Sequence, residues 1–151
     1  RMHECEHSQV VALVSGSPDK ARTIADEYGV AHGNIYNYQN FDSIGDNPEI
    51  DVVYVVLPNS MHHEYTIRAL RAGKHVLCEK PMSVSVAEAE EMVAVARETG
   101  RKLMIGYRSR FEPYNQLAIE MARGGNTLLR SCLDTVVGRT VAVTEKPSTS
   151  R

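Results

Sequence analysis

The sequence predicts an α/β fold built on a largely parallel β-sheet, and two observations support this prediction. First, short apolar segments alternate with amphipathic ones of helical spacing; the apolar segments are VVALVSG at 10–16, DVVYVVLP at 51–58, HVLC at 75–78 and KLMIGY at 102–107. Second, DVVYVVLP is apolar throughout, which is typical of an inner strand covered on both faces. Strands that alternate with helices are joined by crossovers, so we expect parallel strands with helices on both faces of the sheet.

The segments between the predicted strands carry helix start and stop signals. Ser17 is placed to cap the first helix, with Pro18 at its first position and Gly29 at its end. Ser85 and Glu88 form a capping box that opens a later helix. Further helices are expected at 59–72 and at 113–123.

The composition is that of one soluble globular domain. The chain has 151 residues, of which 42% are hydrophobic and 24% charged. Its net charge of −2 provides no basic field for nucleic acid, and no apolar run approaches the roughly 20 residues that span a membrane. Three widely spaced cysteines argue against a disulfide framework. We expect one folded domain at 1–124 and a divergent or disordered tail at 125–151.

The motif HECEH at 3–7 does not predict a metal site. His3, Cys5 and His7 stand at alternate positions, whereas a structural zinc site has four ligands, usually with two or more residues between paired ones. No fourth ligand with suitable spacing follows, so we expect no metal.

The segment after the first strand indicates which of two cofactors, NAD or NADP, the chain would prefer. A dinucleotide-binding sheet usually has an Asp or Glu here, which accepts hydrogen bonds from the adenosine ribose. This chain instead has Ser15, Gly16 and Ser17, with Lys20 one helical turn further on. Hydroxyls and a lysine would hold a 2′-phosphate that a carboxylate would repel, so NADP is favoured over NAD. In the alternative interpretation, Ser17 only caps the helix and Lys20 is solvated surface.

Polar side chains also follow the second strand, whose end is marked by Pro58. Asn59, Ser60, His62 and His63 come directly after it, where side chains of a parallel sheet face the ligand crevice. Asn59 or Ser60 would cap the next helix. A histidine at a helix start is more often a surface or capping residue than a catalyst, and both interpretations stay open.

The triplet Glu79-Lys80-Pro81 follows the third predicted strand. Its proline removes a backbone donor and fixes the direction of the chain, which would aim the lysine into the crevice. A lysine there can bind a substrate hydroxyl and help to move its proton during hydride transfer, with Glu79 adjusting its charge state. The alternative is a turn with an ordinary solvated ion pair. The same triplet at 145–147 is interpreted as a coincidence in the tail.

The ordered set of these stretches resembles the N-terminal domain of the glucose–fructose oxidoreductase, inositol dehydrogenase and related (Gfo/Idh/MocA) family, with most likeness to the glucose–fructose oxidoreductases. The stretches are ALVSGSPDKA, YGV, IYNYQNFD, VVLPNSMH, AGKHVLCEKPM and KLMIGYR, over roughly residues 8 to 123. The resemblance implies a Rossmann-type doubly wound sheet and nicotinamide-dependent oxidation of a sugar or polyol carbon. NADP is the expected cofactor and NAD the alternative. A full-length parent is expected to be a homo-oligomer.

The resemblance also implies roles for individual residues. Lys80 becomes the catalytic lysine, and Glu79 a neighbour of the nicotinamide. Ser15 and Lys20 match positions that contact the 2′-phosphate of NADP. The other implied positions on the cofactor side are Gly16, Ser17, Tyr38, Leu57, Pro58, Asn59, His62, Lys80 and Arg108.

Two parts of the family pattern have no counterpart in the sequence. No G-x-G-x-x-G occurs, and this fingerprint belongs on a strand and turn upstream of 10–16. Nothing after Gly124 resembles the second domain, with its Asp and His active-site partners. We therefore expect an incomplete Rossmann-type sheet that lacks its first strand and glycine loop, in a fragment with weak or no activity. The alternative is a non-enzymatic truncated α/β module stabilised by a partner subunit. The compartment is cytoplasmic by default, or periplasmic if an export signal lies upstream.

Overall fold

The computed structural model describes residues 8–124. The chain divides into two compact units, Arg1–Gly106 and Tyr107–Arg151, which are described separately. The HECEH motif, the tail and the second Glu-Lys-Pro triplet lie outside the described residues. Within residues 8–124, no helix is long and apolar enough to cross a membrane.

The described part of the first unit alternates strands and helices, as the sequence predicts. In chain order its elements are β1 (Leu13–Val14), α1 (Pro18–Tyr28), β2 (Ile35–Tyr36), β3 (Val52–Val55), α2 (His62–Arg71), β4 (His75–Cys78), α3 (Val86–Thr99) and β5 (Leu103–Ile105). Single 3-10 turns lie at His32–Asn34 and Asn59–Met61, and a longer one at Phe41–Asp46. The described part of the second unit holds a 3-10 turn at Arg108–Arg110 and α4 (Pro113–Arg123).

The strands form two sheets, and every pairing is parallel. β1 pairs with β2, and β3, β4 and β5 pair in that order. The strands of a doubly wound sheet stand in the order 3-2-1-4-5-6. In this chain β2 and β1 take the places of strands 3 and 2, and β3, β4 and β5 take the places of strands 4, 5 and 6. The strand that would join the two sheets is not among the described residues. The predicted incomplete Rossmann-type fold is thereby confirmed.

Helices α2 and α3 cover one face of the three-stranded sheet. Val55, Val76 and Cys78 point to this covered face, where they meet Leu70 of α2 and Met92 of α3. All five side chains are at most 3% exposed. Both crossovers step in the same direction along the sheet, and right-handed connections therefore place both helices on the same side.

The opposite, open face of the same sheet carries exposed apolar side chains. Val52, Tyr54 and Val56, on and just after β3, and Met104 on β5 are between 46% and 61% exposed. The prediction that β3 is covered on both faces is therefore wrong for the described first unit, because α2 and α3 lie on the same side. Exposed apolar area of this kind marks a surface that a partner could cover.

The helix ends agree with the sequence signals at most positions. Pro18 opens α1, and Gly29 follows it in the left-handed conformation, with φ of 69°. Ser85 Oγ accepts a hydrogen bond from Glu88 N at 3.3 Å, as the capping box predicts. The Glu88 carboxylate accepts one from Val84 N at 3.2 Å, one residue earlier than expected.

Helix α2 differs from its prediction at its start. Asn59 or Ser60 is expected to cap it, but Asn59–Met61 form a 3-10 turn and α2 begins only at His62. The turn places Met61 at the N-cap position, where no side chain caps the helix. The predicted cap is therefore wrong.

Candidate active site

The candidate site lies at the carboxyl ends of β3 and β4. Hydrogen bonds of the sheet continue one residue past the regular strands, since Glu79 N donates to Val55 O at 3.0 Å and Gly106 N to Cys78 O at 2.8 Å. The backbone that leads into Lys80 is therefore held on both sides.

Two hydrogen bonds hold the half-buried carboxylate of Glu79, and a glycine leaves space beside it. Tyr54 donates its hydroxyl hydrogen to Oε1 at 2.5 Å, and the backbone N–H of Lys80 donates to Oε2 at 3.1 Å. A Cβ atom at Gly106 would stand 3.4 Å from Oε2, so the glycine leaves room beside the carboxylate. The contact with Tyr54 places Glu79 on the open face of the sheet.

Lys80 is exposed, and its peptide bond to Pro81 is cis. The hydrogen bonds and ion pairs of residues 8–124 include none from its ammonium group. The Glu79 carboxylate accepts a hydrogen bond from the backbone N–H of Lys80 and not from the Lys80 side chain. The alternative interpretation of an ordinary ion pair within the triplet is therefore not what the structure shows.

The ring of His62 lies beneath the two strand-end loops. It is 1% exposed, with Nδ1 2.7 Å from Pro81 O and Nε2 2.8 Å from Leu57 O. Both ring nitrogens are thus engaged with the backbone. His62 therefore contacts the loops after β3 and β4 through their backbone, and its predicted role in cofactor binding stays a prediction.

The loop after β3 presents the other predicted cofactor residues. Leu57 is half-buried and packs against the core, whereas Pro58 and Asn59 are exposed. Pro58 O accepts a hydrogen bond from Met61 N at 2.8 Å, which closes the 3-10 turn. The Asn59 amide makes no hydrogen bond with the described residues and is available to a ligand.

The end of β1 gathers the residues predicted to select NADP. Ser15 Oγ accepts a hydrogen bond from Ser17 N at 3.1 Å and donates to Ser17 O at 3.2 Å. Ser17 occupies the N-cap of α1, but its own hydroxyl makes no capping bond. The alternative interpretation is therefore wrong for the Ser17 hydroxyl, whereas its expectation that Lys20 is solvated surface agrees with the structure. Lys20 is exposed on the first turn of α1, without an ion pair among the described residues.

Tyr38 packs closely against the end of β1. A Cβ atom at Gly16 would stand 2.9 Å from Tyr38 Cε2, so the close approach requires glycine. The Tyr38 ring also lies 5.4 Å from the ring of Tyr65 between centroids. The structure thus brings together Gly16 and Tyr38, which lie 22 positions apart in the printed sequence.

Arg68 of α2 holds the segment around Tyr38 in place. Its guanidinium pairs with Asp42 at 2.9 Å, donates to Tyr38 O at 3.2 Å, and lies over the rings of Phe41 and Tyr65 at 5.0 and 4.9 Å. The hydrogen bond to Asp42 is the main reason that the pKa of Arg68 is raised. A bidentate, stacked arginine of this kind fixes the geometry of its neighbours.

Arg108, the remaining predicted residue, belongs to the second unit. It lies on the exposed 3-10 turn at Arg108–Arg110. Its role stays a prediction.

Sequence reasoning missed Tyr54 and Gly106. Tyr54 carries the single hydroxyl of an otherwise aliphatic strand, and this was a signal for it. Because side chains alternate between the two faces of a strand, Tyr54 lies on the face opposite to the buried Val55. Gly106 could have been found as the glycine at the end of the last predicted strand, where backbones approach closely.

Cys78, adjacent to the triplet, is an unreactive core thiol. Burial raises the pKa of this thiol, and the charge of Glu79 raises it further. Across residues 8–124, no group of three or more His, Cys, Asp or Glu side chains could hold a metal ion.

A parallel α/β sheet with polar residues gathered at the carboxyl ends of its strands is the architecture of a dinucleotide-binding domain. The chain belongs to the Gfo/Idh/MocA family, because the family model described as "Oxidoreductase family, NAD-binding Rossmann fold" matches residues 1–107. The resemblance noted in the sequence is thereby confirmed.

Solved structures and curated relatives agree with this assignment. An aldose–aldose oxidoreductase from Caulobacter crescentus, complexed with glycerol, is 54% identical with a TM-score of 0.78, over 83% of this chain and 37% of that one. A 3-ketoreductase from Actinomadura kijaniata, solved with NADP, is 34% identical with a TM-score of 0.68, over 82% and 38%. A 1,5-anhydro-D-fructose reductase from Ensifer adhaerens is 39% identical over 61% of this chain and 26% of its own length. This chain spans well under half the length of each.

Proposed function

We propose that the chain is the cofactor-binding part of an oxidoreductase that transfers hydride between NADP and a sugar or polyol carbon. The observation that carries the proposal is the Glu79–Lys80 loop. There an exposed lysine, whose ammonium has no protein partner among residues 8–124, directly follows in sequence a glutamate whose carboxylate is fixed, at the carboxyl end of a parallel strand. Sugar reductases among the relatives support the substrate class.

The residues at the end of β1 fit a 2′-phosphorylated dinucleotide. Ser15 and Ser17 offer hydroxyls, and Lys20 an ammonium without an ion pair among the described residues. The acid next to Lys20 in sequence, Asp19, is turned to solvent and lies 3.8 Å from Arg22. A phosphate held here would meet donors and a positive charge. The 3-ketoreductase solved with NADP supports this preference.

Lys80 is the proposed catalytic residue. When bound, the nicotinamide supplies or accepts the hydride. Lys80 Nζ would hydrogen-bond the oxygen on the reacting carbon and pass a proton to or from it. Tyr54 and the Lys80 amide would hold the carboxyl group of Glu79 at a constant place in the same loop as the lysine.

Calorimetric titration with NADPH and NADH tests the cofactor. We expect NADPH to bind more tightly, and Lys20→Ala to weaken it about tenfold, since one charge-assisted contact to phosphate is lost. Lys102→Ala removes an exposed lysine directly before β5 and is the matched control. Tighter binding of NADH would contradict the role of Ser15 and Lys20, and binding of neither would contradict the cofactor proposal.

Substitution of the lysine tests the catalytic role. In a full-length enzyme that carries this domain, Lys80→Ala should lower kcat about 10²- to 10⁴-fold, the usual contribution of a positioned acid or base. The NADPH affinity should change little. Retained turnover would reject Lys80 as the catalytic lysine.

A second function is supported by the open face of the sheet. The chain would then be a non-enzymatic α/β module that pairs with another subunit, since apolar side chains on β3 and β5 are exposed. Light scattering after size-exclusion chromatography, combined with NADPH titration of the same sample, separates the two functions. A well-behaved monomer that binds NADPH would contradict the pairing module.

A further inference from the structure

Arg68 of α2 uses four of the five N–H groups that an arginine offers. Nε and one terminal nitrogen donate to the two carboxylate oxygens of Asp42, at 2.9 and 3.2 Å, and the other terminal nitrogen donates to Glu64 at 3.1 Å. The nitrogen that bonds Asp42 Oδ2 also donates to the backbone carbonyl of Tyr38 at 3.2 Å. The side chain is only 23% exposed, so its geometry is set by these protein partners.

The bond from Arg68 to the Tyr38 carbonyl ties the loop at 37–40 to helix α2. Among the described residues, the other hydrogen bonds of this loop run between its own members or to Ser43. These local bonds give the loop its shape. Arg68 supplies its hydrogen bond to another element of the fold.

The guanidinium also lies against an aromatic cluster formed by Tyr38, Phe41 and Tyr65. It lies 5.0 Å from the centroid of the Phe41 ring and 4.9 Å from that of Tyr65, within the range of a cation–π contact. The Phe41 and Tyr65 rings meet edge to face at 5.0 Å, and the Tyr38 ring lies 5.4 Å from that of Tyr65. Phe41 and Tyr65 are at most 5% exposed, so the cluster is a closely packed support for the ring of Tyr38.

The Tyr38 ring carries this support to the turn after β1. A Cβ atom at Gly16 would stand 2.9 Å from Tyr38 Cε2, so the ring packs directly on the glycine. Ser15 and Ser17, on either side of Gly16, are bonded to each other through the Ser15 hydroxyl. A shift of the ring would therefore leave this turn without its support.

No hydrogen bond or ion pair within residues 8–124 joins Arg68 to residues 15–20. We propose that Arg68 is a positioning residue that acts through Tyr38. It holds the turn at 15–17 in the shape that receives a 2′-phosphate, and so contributes to the choice of NADP over NAD. The effect on cofactor choice rests on the proposed function, but the link from Arg68 to Gly16 does not.

NMR of the 151-residue chain without cofactor tests this link. The unaltered chain should show a nuclear Overhauser effect between the α hydrogens of Gly16 and the ring hydrogens of Tyr38, since the ring faces the glycine. Arg68→Met keeps an apolar stem against the aromatic rings but removes every N–H donor, so the effect should weaken or vanish. An unchanged effect would overturn the proposal.

Two further variants make this result specific to the guanidinium. Arg71→Met, at an exposed arginine three residues further along α2, is the matched control and should retain the effect. Arg68→Lys keeps the charge but not the planar fork that joins Asp42 to the Tyr38 carbonyl, so it should also weaken the effect. If Arg68→Met does not fold, Arg68→Lys decides.

Calorimetric titration of the same variants with NADPH and NADH tests the effect on cofactor choice. In Arg68→Met the ratio of NADPH affinity to NADH affinity should fall about tenfold, the equivalent of one charge-assisted contact to phosphate. The affinity for NADH should change little. Equal weakening of both cofactors would indicate a general structural role and would overturn the proposal.

A double-mutant cycle tests the route through Tyr38. In a Tyr38→Leu background, Arg68→Met should lower the affinity ratio no further, because its support no longer reaches the turn. A further fall would mean that Arg68 acts on the phosphate directly, and would overturn the positioning role. If the unaltered chain binds neither cofactor, the proposed function fails, and the NMR contact between Gly16 and Tyr38 still decides the link from Arg68.

Discussion

The two faces of the β3-β4-β5 sheet carry similar apolar side chains in different surroundings. On the covered face, Val55 and Val76 are closed off by Met92 and its neighbours from the helices. On the open face, Tyr54 and Met104 are about half exposed. The same strands therefore contribute to a core on one side and to a surface on the other.

This difference separates stability from chemistry. The covered face buries the side chains that hold the sheet on its helices, and such burial is the main stabilising term of a fold. The open face carries the contact between Tyr54 and Glu79 that fixes a carboxylate beside Lys80. Changes on the covered face should therefore alter folding, and changes on the open face should alter the site.

A matched pair of methionines gives the largest expected contrast. Met92→Ala, on the covered face, should lower the free energy of unfolding by about 2–5 kcal/mol, because it leaves a cavity in the core. Met104→Ala, on the open face, should change it by less than about 1 kcal/mol. Urea unfolding of both variants measures the difference. Equal losses would mean that the open face is covered in solution.

Thiol reactivity compares the two faces without removing a side chain. In a Cys5→Ser, Cys132→Ser background, Cys78 should react with a thiol reagent about a hundredfold more slowly than a cysteine introduced by Met104→Cys, since access to Cys78 needs local opening. Similar rates for the two would show that the covered face opens freely.

The pH dependence of stability follows from the same thiol. Burial raises the pKa of Cys78 above its ordinary value of 9.0, so the folded chain keeps this proton to higher pH than the unfolded chain. The resulting stability is fully present below about pH 9 and is lost as the pH rises through the folded value, at up to about 1.4 kcal/mol per pH unit. Cys78→Ala should flatten this alkaline loss in unfolding curves, and an unchanged slope would contradict the assignment.

Tyr54→Phe gives the smallest expected change in stability. It removes the hydrogen bond to Glu79 and should cost roughly 1 kcal/mol or less, because the pair is exposed. In a full-length enzyme it should lower kcat more than it alters NADPH affinity. Tyr107→Phe, at another exposed tyrosine, is a control for loss of a hydroxyl. An unchanged kcat would show that Glu79 needs no support from Tyr54.

The sequence predicted those features that depend on neighbouring residues. HVLC at 75–78 is β4, α1 begins at Pro18, and α4 covers 113–123 as expected, because capping and strand signals act over a few residues. Coverage of the sheet depends on the side that each crossover takes, so DVVYVVLP alone could not reveal the open face. The contact of Tyr54 with Glu79 and the two carbonyls at His62 join segments distant in sequence, which local patterns do not contain.

Gly106 makes the site adjustable by a single methyl group. Alanine at this position would bring its Cβ to 3.4 Å from Glu79 Oε2, an ordinary contact distance, and would leave the bond from the residue 106 amide to Cys78 O in place. That methyl group would fill the space beside the carboxylate and narrow the range of positions open to the Glu79 side chain. Natural variation or engineering at residue 106 would therefore adjust the geometry beside Lys80 without altering any polar side chain.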